Sequence, residues 1–365
     1  MVETSPGVRE LEQGMTELLE HGRKESIFPA ASLWVAENLE PMFQVHTGGA
    51  TDESLWDLAS LTKPMSVVSL VMRLQAQGRL DLDDRPMNCP VTIRQLLGHR
   101  SGLPAWWDLR EVLDEGLPNW KVGSHDTRAF IRSSIEAEIR EGQHRACYSD
   151  LGYMLLGWFI EDLVGESLDV QVPGYGVATS EQHRVMSGGW CTHRSRELFG
   201  EVNDLNTHVL GGIAGHAGLF GRSEDVGLWA LDLLRSYHGC GGSFDREIVR
   251  SYWSKAHFDD VDTWVLGFDP PTPGNSSAGS LIGPNAVGHL GFTGTSVWID
   301  PEPGRVVVLL TNRVAGPPEA QAAIKRMAKF MVEMPIRRYS LLLMLLLLLA
   351  CLLICSITTA LSKRR

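Results

Sequence analysis

Two runs of strand-forming residues, Ser32–Ala36 and Phe43–His46, flank the polar stretch Glu37-Asn38-Leu39-Glu40-Pro41 and predict a hairpin. Thr295–Ile299 and Val306–Leu310 repeat this arrangement around Asp300-Pro301-Glu302-Pro303-Gly304, a strong turn signal. Glu319–Val332 then reads as a helix, with Ala323, Met327, Phe330 and Met331 on one apolar stripe. Between these ends the periodicity is helical. Pro64–Gln77 carries Val67, Val68, Val71 and Leu74 on one face and closes at Gly78, and Thr92–Leu97 and Asp150–Val164 follow. The economical architecture is α+β: one antiparallel sheet flanked by helices, with a helical insertion lobe. It assigns the sheet to residues 28–59 and 285–334, the lobe to 64–284, and one catalytic domain to 1–335.

The C-terminus departs from this pattern. Leu341–Leu361 is apolar on every face and long enough to span a bilayer as a helix, so 336–365 is expected to be a membrane anchor. Lys325, Arg326, Lys329, Arg337 and Arg338 precede it, and Lys363, Arg364 and Arg365 follow. That bias favours a tail-anchored protein with its globular part on the cytoplasmic side. The first 25 residues hold no continuous apolar run and do not resemble a secretory signal.

Composition narrows the function classes. The chain has 365 residues, 44% hydrophobic and 21% charged, enough for one large domain or two smaller ones. Its 33 Lys and Arg against 44 Asp and Glu give a formal charge of -11, which disfavours nucleic acid as a partner. Cys351 and Cys355 lie in the apolar tail, while Cys89, Cys147, Cys191 and Cys240 are scattered, so reduced thiols are expected. The 12 histidines show no H-E-x-x-H and no Cys/His spacing of a zinc site, and no metal or cofactor is expected.

The chemistry centres on Ser60-Leu61-Thr62-Lys63. At i and i+3 of a helix a hydroxyl and an ammonium share one face, and a serine becomes nucleophilic when a neighbour takes its proton. Three further stretches keep it company: Leu96–Pro104 (LLGHRSGLP), Tyr148-Ser149-Asp150, and Gly288–Thr295 (GHLGFTGT), whose glycines allow close backbone approach. Asp150 stands where it could cap the helix it opens. The chain has no G-x-S-x-G, which removes an α/β-hydrolase elbow.

With these motifs in this order, the chain resembles the serine β-lactamase-like family, the group of class C β-lactamases, penicillin-binding proteins and family VIII carboxylesterases. The resemblance runs through most of 28–330 and includes Gly211–Phe220 as a G-G-x-x-G-H-A-G-L-F segment. It implies Ser60 as the acylated nucleophile, Lys63 as its activator, and Tyr148 as the base in acylation and deacylation. It also implies an oxyanion hole from the backbone N–H groups of Ser60 and Phe292, with Asp150, His289, Gly291 and Phe292 contacting substrate.

Three positions depart from the family pattern. Asp150 replaces an asparagine and, lacking an N–H, either orients Lys63 or caps its helix. His289 replaces a lysine, and Leu290 stands where a hydroxyl normally holds a substrate carboxylate. The stretch Ser167–Gln182 is short against relatives, leaving one wall of the pocket unassigned. Trp106 and Trp107 read as packing under a loop, His216 as structural, and Glu111–Glu115 as a solvated face. Cys147 has no partner that would make it a thiol nucleophile.

The expectation is a serine hydrolase of small-molecule esters or amides. Its alternatives are a β-lactamase or D-alanyl-D-alanine carboxypeptidase, and a silenced penicillin-binding-like module at the membrane. The sequence leaves its oligomeric state open.

Overall fold

The computed structural model describes residues 6–333, apart from 87–88, 143, 177–178, 259–263, 273, 275 and 318–320. The expected anchor, 336–365 with its run Leu341–Leu361, therefore lies outside the described residues. Among those described, no helix is long and apolar enough to cross a membrane.

The strands are β1 (Ala31–Glu37), β2 (Glu40–Thr47), β3 (Trp56–Asp57), β4 (Trp190–Cys191), β5 (Arg196–Glu197), β6 (Phe220–Gly221), β7 (Val287–Gly291), β8 (Thr295–Asp300) and β9 (Arg305–Thr311). The helices are α1 (Pro6–Lys24), α2 (Ser69–Ala76), α3 (Ile93–Leu97), α4 (Leu109–Gly116), α5 (His125–Glu138), α6 (Asp150–Val164), α7 (Leu168–Gln171), α8 (Leu205–Val209), α9 (Ser223–His238), α10 (Arg246–Tyr252) and α11 (Gln321–Glu333).

Both predicted hairpins form and join into one antiparallel sheet of order β2-β1-β9-β8-β7. Ala31 pairs with Thr311 and Trp34 with Val308, so the two ends of the chain close on each other. All seven residues of β9 are buried, because the sheet is covered on both faces. Leu33, Val35, Trp298, Val307 and Leu309 pack toward α1 and α11, with Met327 and Met331 of the predicted stripe and with Ile324 beside them. Val297, Ile299, Val306 and Val308 join the other core, with Val226, Ala230 and Leu234 of α9. Each large apolar side chain so buried contributes about 1.5–3 kcal/mol.

Two features differ from the sequence expectation. The span 64–284 is not a separate helical lobe throughout, since α9 lies directly on the sheet. Helix α1 is the other addition. Its Leu11, Met15, Leu18 and Leu19 form a stripe at helical spacing, which the intervening Glu and Arg residues disguise in a linear reading.

The lobe meets the sheet at one edge. β3 pairs with β6, and the chain then passes through Ser60 into a π-helical turn, Lys63–Val68, that leads into α2. The Ser69 N–H reaches back to the Pro64 carbonyl, an i→i+5 bond. Such turns widen a helix locally and recur at functional sites. Helix α6 follows the predicted Asp150–Val164 and ends on Gly165 at φ 81, a left-handed cap suited to glycine.

Candidate active site

Ser60 sits in a 3-10 turn, Ala59–Leu61, directly after β3. Ala59 adopts φ 48, which costs a non-glycine residue roughly 1–2 kcal/mol. The turn is held from within: Ala59 N–H donates to Asp57 Oδ1 at 2.9 Å, and Thr295 Oγ1 donates to Leu58 O at 3.2 Å. The nucleophile candidate is thus presented by strained backbone pinned on both sides.

Lys63 turns inward, and its side chain is wholly buried. Its Nζ donates to Tyr148 Oη at 2.6 Å, Asp150 Oδ1 at 2.7 Å and Ser60 Oγ at 3.0 Å, with His216 O at 3.4 Å. An ammonium has three protons for these four acceptors, so the carbonyl takes the weakest share. Burial opposes the lysine charge, yet Asp150 and Tyr148 outweigh it and hold the ammonium above its usual pKa. Burial likewise pushes the Tyr148 phenol up, and Lys63 pulls it in the opposite direction.

The two roles left open for Asp150 separate here. The N-cap of α6 is Ser149, whose Oγ accepts from Gly152 N–H at 3.4 Å, while the Asp150 carboxylate goes to Lys63. Ser149 also donates its N–H to His99 Nδ1 at 3.1 Å. The His99 ring packs against Tyr148 at 4.6 Å and Trp264 at 4.7 Å between centroids. Burial, then the charge of Lys63, keeps His99 neutral, well below the usual imidazole range. Tyr148 is therefore wedged by aromatic neighbours, with its hydroxyl on Lys63 Nζ and the same ammonium 4.6 Å from its ring centroid.

Edge strand β7 forms the opposite wall. A Cβ on Gly291 would lie 2.9 Å from Leu58 O and closer still to Thr295 Oγ1, so only glycine lets β7 approach the Ser60 turn. His289 Nδ1–H donates to Leu290 O at 2.8 Å, leaving Nε2 as a buried acceptor without a partner among the described residues. Burial, reinforced by Lys63, depresses this imidazole to about 3. Leu290 packs partly into the core beneath α1 and α11. Phe292 is 63% exposed at the rim, with its carbonyl accepting from Arg313 Nη2 and the guanidinium 4.9 Å from its ring.

The third wall is the segment from Asn203 to Ala217. His216 Nε2 lies 3.0 Å from Asp204 Oδ1 and 3.0 Å from Thr207 Oγ1. Burial opposes the Asp204 charge, but His216 outweighs it and holds the carboxyl below its usual range. His216 is thus a brace for this wall, and its carbonyl faces Lys63.

Together these walls enclose a cleft of about 820 Å³ lined by Ser60, Tyr148, Asp150, His289, Gly291 and Phe292, all named from the sequence, with Lys63 beneath. Trp106 departs from its expected role: it is 47% exposed and lines the cleft, whereas Trp107 packs against the core. Trp264, Arg313 and Asp57 were not singled out by sequence. The clearest available signal was Asp57, an acid inside the otherwise apolar Leu55–Ala59 run before Ser60. Among the described residues no cluster of His, Cys, Asp and Glu could hold a metal ion, and Cys89, Cys147, Cys191 and Cys240 are free thiols.

The Beta-lactamase family model matches residues 15–331, and the chain belongs to that family. Members with this fold are serine hydrolases. A putative D-alanyl-D-alanine carboxypeptidase of Escherichia coli (strain K12) is 28% identical, over 73% of this chain and 71% of its own. Among solved structures, the octameric penicillin-binding protein homologue from Pyrococcus abyssi is 20% identical with a TM-score of 0.66, covering 90% of this chain and 77% of that one. EstCE1, a hydrolase with promiscuous acyltransferase activity, is 17% identical with a TM-score of 0.66, covering 89% of this chain and 100% of that one. At these identities the two structures establish the fold alone.

Proposed function

We propose that this protein is a serine hydrolase that cleaves carboxylic esters or small amides through an acyl-enzyme on Ser60. The observation that carries the reading is the single buried ammonium of Lys63 within hydrogen-bond reach of Ser60, Tyr148 and Asp150. In this scheme Ser60 Oγ attacks the acyl carbon while its proton passes to the Tyr148 oxygen. Burial raises the Tyr148 phenol, and Lys63 offsets part of that cost for the phenolate that accepts the proton, while Asp150 keeps Lys63 charged. The Tyr148 proton then leaves with the alcohol or amine. A water attacks the ester carbonyl by the same route in reverse, restoring Ser60. The N–H groups of Ser60 and Phe292 serve as the oxyanion hole, where one donor is worth roughly 3 kcal/mol.

Ester substrates are favoured because the strand wall presents a neutral His289 and an apolar Leu290 in place of a cation and a hydroxyl. Arg313 and Lys325 also line the cleft, and they support a second reading in which a substrate carboxylate is gripped from that side. This second reading covers β-lactams and D-alanyl-D-alanine peptides. We further read Leu341–Leu361 as a tail anchor with the catalytic domain on the cytoplasmic side; protease accessibility in intact cells tests that orientation.

Fluorophosphonate labelling and burst kinetics with p-nitrophenyl butyrate test the chemistry. Both are expected in the wild type and absent in Ser60→Ala. Equal rates in the variant would sink the acyl-enzyme reading, and no labelling of the wild type would leave a silenced binding module. Nitrocefin turnover above ester turnover would move the assignment to the second reading.

A further inference from the structure

The hydrolytic scheme makes no use of one buried acid beside the nucleophile. Asp57 is 7% exposed and forms no ion pair among the described residues. Each of its carboxylate oxygens accepts one backbone N–H: Oδ1 from Ala59 at 2.9 Å and Oδ2 from Asn203 at 2.6 Å. Its own carbonyl accepts from Thr293 Oγ1 at 2.8 Å. Three walls of the cleft therefore meet at this residue.

Each bond has a consequence in the site. Ala59 is the left-handed residue immediately before Ser60, so its N–H fixes the direction in which Ser60 is presented. Asn203 precedes Asp204, which holds His216, whose carbonyl faces Lys63. Thr293 follows Phe292 on the strand wall. A carboxylate satisfies both N–H groups at once. A carboxylic acid or amide turns one of its two heads into a donor, which then faces an N–H donor. The charged groups around Asp57 do not supply a strong reason for its ionisation: Asp204 opposes it and Arg194 favours it. A purely structural bridge could be neutral, and a buried uncompensated charge is costly.

We propose that Asp57 is a positioning residue whose ionised carboxylate locks the Ser60 turn to the Asn203–Ala217 wall and releases both when protonated. The proposal rests on the reading of Ser60 as the nucleophile. Burial lifts the Asp57 carboxyl to about 6. Above that pH both N–H groups have an acceptor, and below it one is lost, so activity falls on the acid side. Stability moves the other way. The folded chain holds this proton more tightly than the unfolded chain, whose carboxyl titrates near 4, so ionising Asp57 costs stability as pH rises from about 4 to 6.

The experiment compares the full-length wild type with Asp57→Asn and Asp57→Glu. It measures kcat and KM for p-nitrophenyl butyrate and the fluorophosphonate labelling rate of Ser60 between about pH 4.5 and 8. The wild type is expected to show an acid limb in kcat and labelling centred near 6. In Asp57→Asn the limb disappears and kcat at pH 8 falls about 100-fold, the scale of a misplaced reacting group, with KM within about twofold. Asp57→Glu restores part of the loss and the limb. A flat wild-type profile, an Asp57→Asn variant with wild-type kcat, or a limb that survives in it overturns this inference alone. Should Asp57→Asn not fold, the wild-type limb and its return in Asp57→Glu decide. A wild type that never labels at Ser60 overturns the hydrolase reading and this inference with it.

Discussion

The two walls that face each other across Ser60 are built on opposite principles. On the lobe side, Lys63, Tyr148 and Asp150 are bound together at 2.6–2.7 Å around a buried charge. On the sheet side, His289 is neutral, its Nε2 has no partner among the described residues, and Leu290 is half turned into the core. The first wall has little freedom, because removing any member leaves a buried group unsatisfied. The second can change with little cost to the fold. Reaction chemistry is thus fixed where charges are coupled, and substrate choice is left where they are not.

The sharpest break of that contrast is Lys63→Met. It strips Asp150 of its buried counter-charge and Tyr148 of its cation. Activity is expected to fall on the order of 10⁴-fold and stability by about 3–5 kcal/mol, read by kcat and urea unfolding. A variant within tenfold of wild type would remove Lys63 from the mechanism.

Gly291→Ala comes next. The added Cβ meets Leu58 O and Thr295 Oγ1, pushing β7 away from the Ser60 turn. About a 100-fold loss of kcat is expected, with the far-UV spectrum retained. Asp150→Asn should be milder, at roughly tenfold, because an amide oxygen still accepts from Lys63. Losing the carboxylate removes what holds the Lys63 pKa up, so the alkaline limb of kcat/KM moves to lower pH. An unmoved limb would show that Asp150 does not set the charge on Lys63.

On the sheet side, Leu290→Thr adds a hydroxyl beside the cleft. Turnover of carboxylate-bearing substrates such as nitrocefin is expected to rise about tenfold relative to p-nitrophenyl butyrate, one hydrogen bond's worth. No change in that ratio would place carboxylate selection elsewhere, with Arg313 the first residue to vary.

The smallest effect is one of stability. His289 titrates near 3 when folded and near 6.5 when unfolded, so the unfolded chain takes up its proton first. Stability is therefore lost as pH drops from about 6.5 toward 3. His289→Gln should flatten the dependence of Tm on pH across that window. A slope equal to wild type would mean that the buried imidazole does not contribute to acid unfolding.

Much of the frame was legible in the sequence because it depends on local periodicity. The four long strands of hairpins β1–β2 and β8–β9 and the span of α6 follow from alternation and helical spacing between clear turn residues. Helix α1 escaped because charged residues interrupt its stripe, and its partner surface lies on the sheet. The π-helical turn after Lys63 has no sequence period to announce it. Because Asp150 opens a helix, its sequence position fits a cap as well as a partner for Lys63, and only the structure shows that the serine before it does the capping. Asp57 ends the two-residue strand β3 and Arg313 follows the buried β9, and nothing in their neighbours reveals which backbone groups they meet.

Sequence by itself determined which groups are available and in what order: a serine and lysine three apart, a tyrosine opening an apolar helix, and a glycine strand stripped of its usual cation and hydroxyl. It also determined the alternation that forms the sheet. Only the tertiary structure decided how the charges are shared. Lys63 meets Tyr148 and Asp150 across 85 and 87 residues of chain, and a burial that would otherwise favour a neutral amine becomes tolerable through that meeting. Desolvation and pairing act over a few ångströms, and those distances exist only after the lobe has packed against the edge of the sheet.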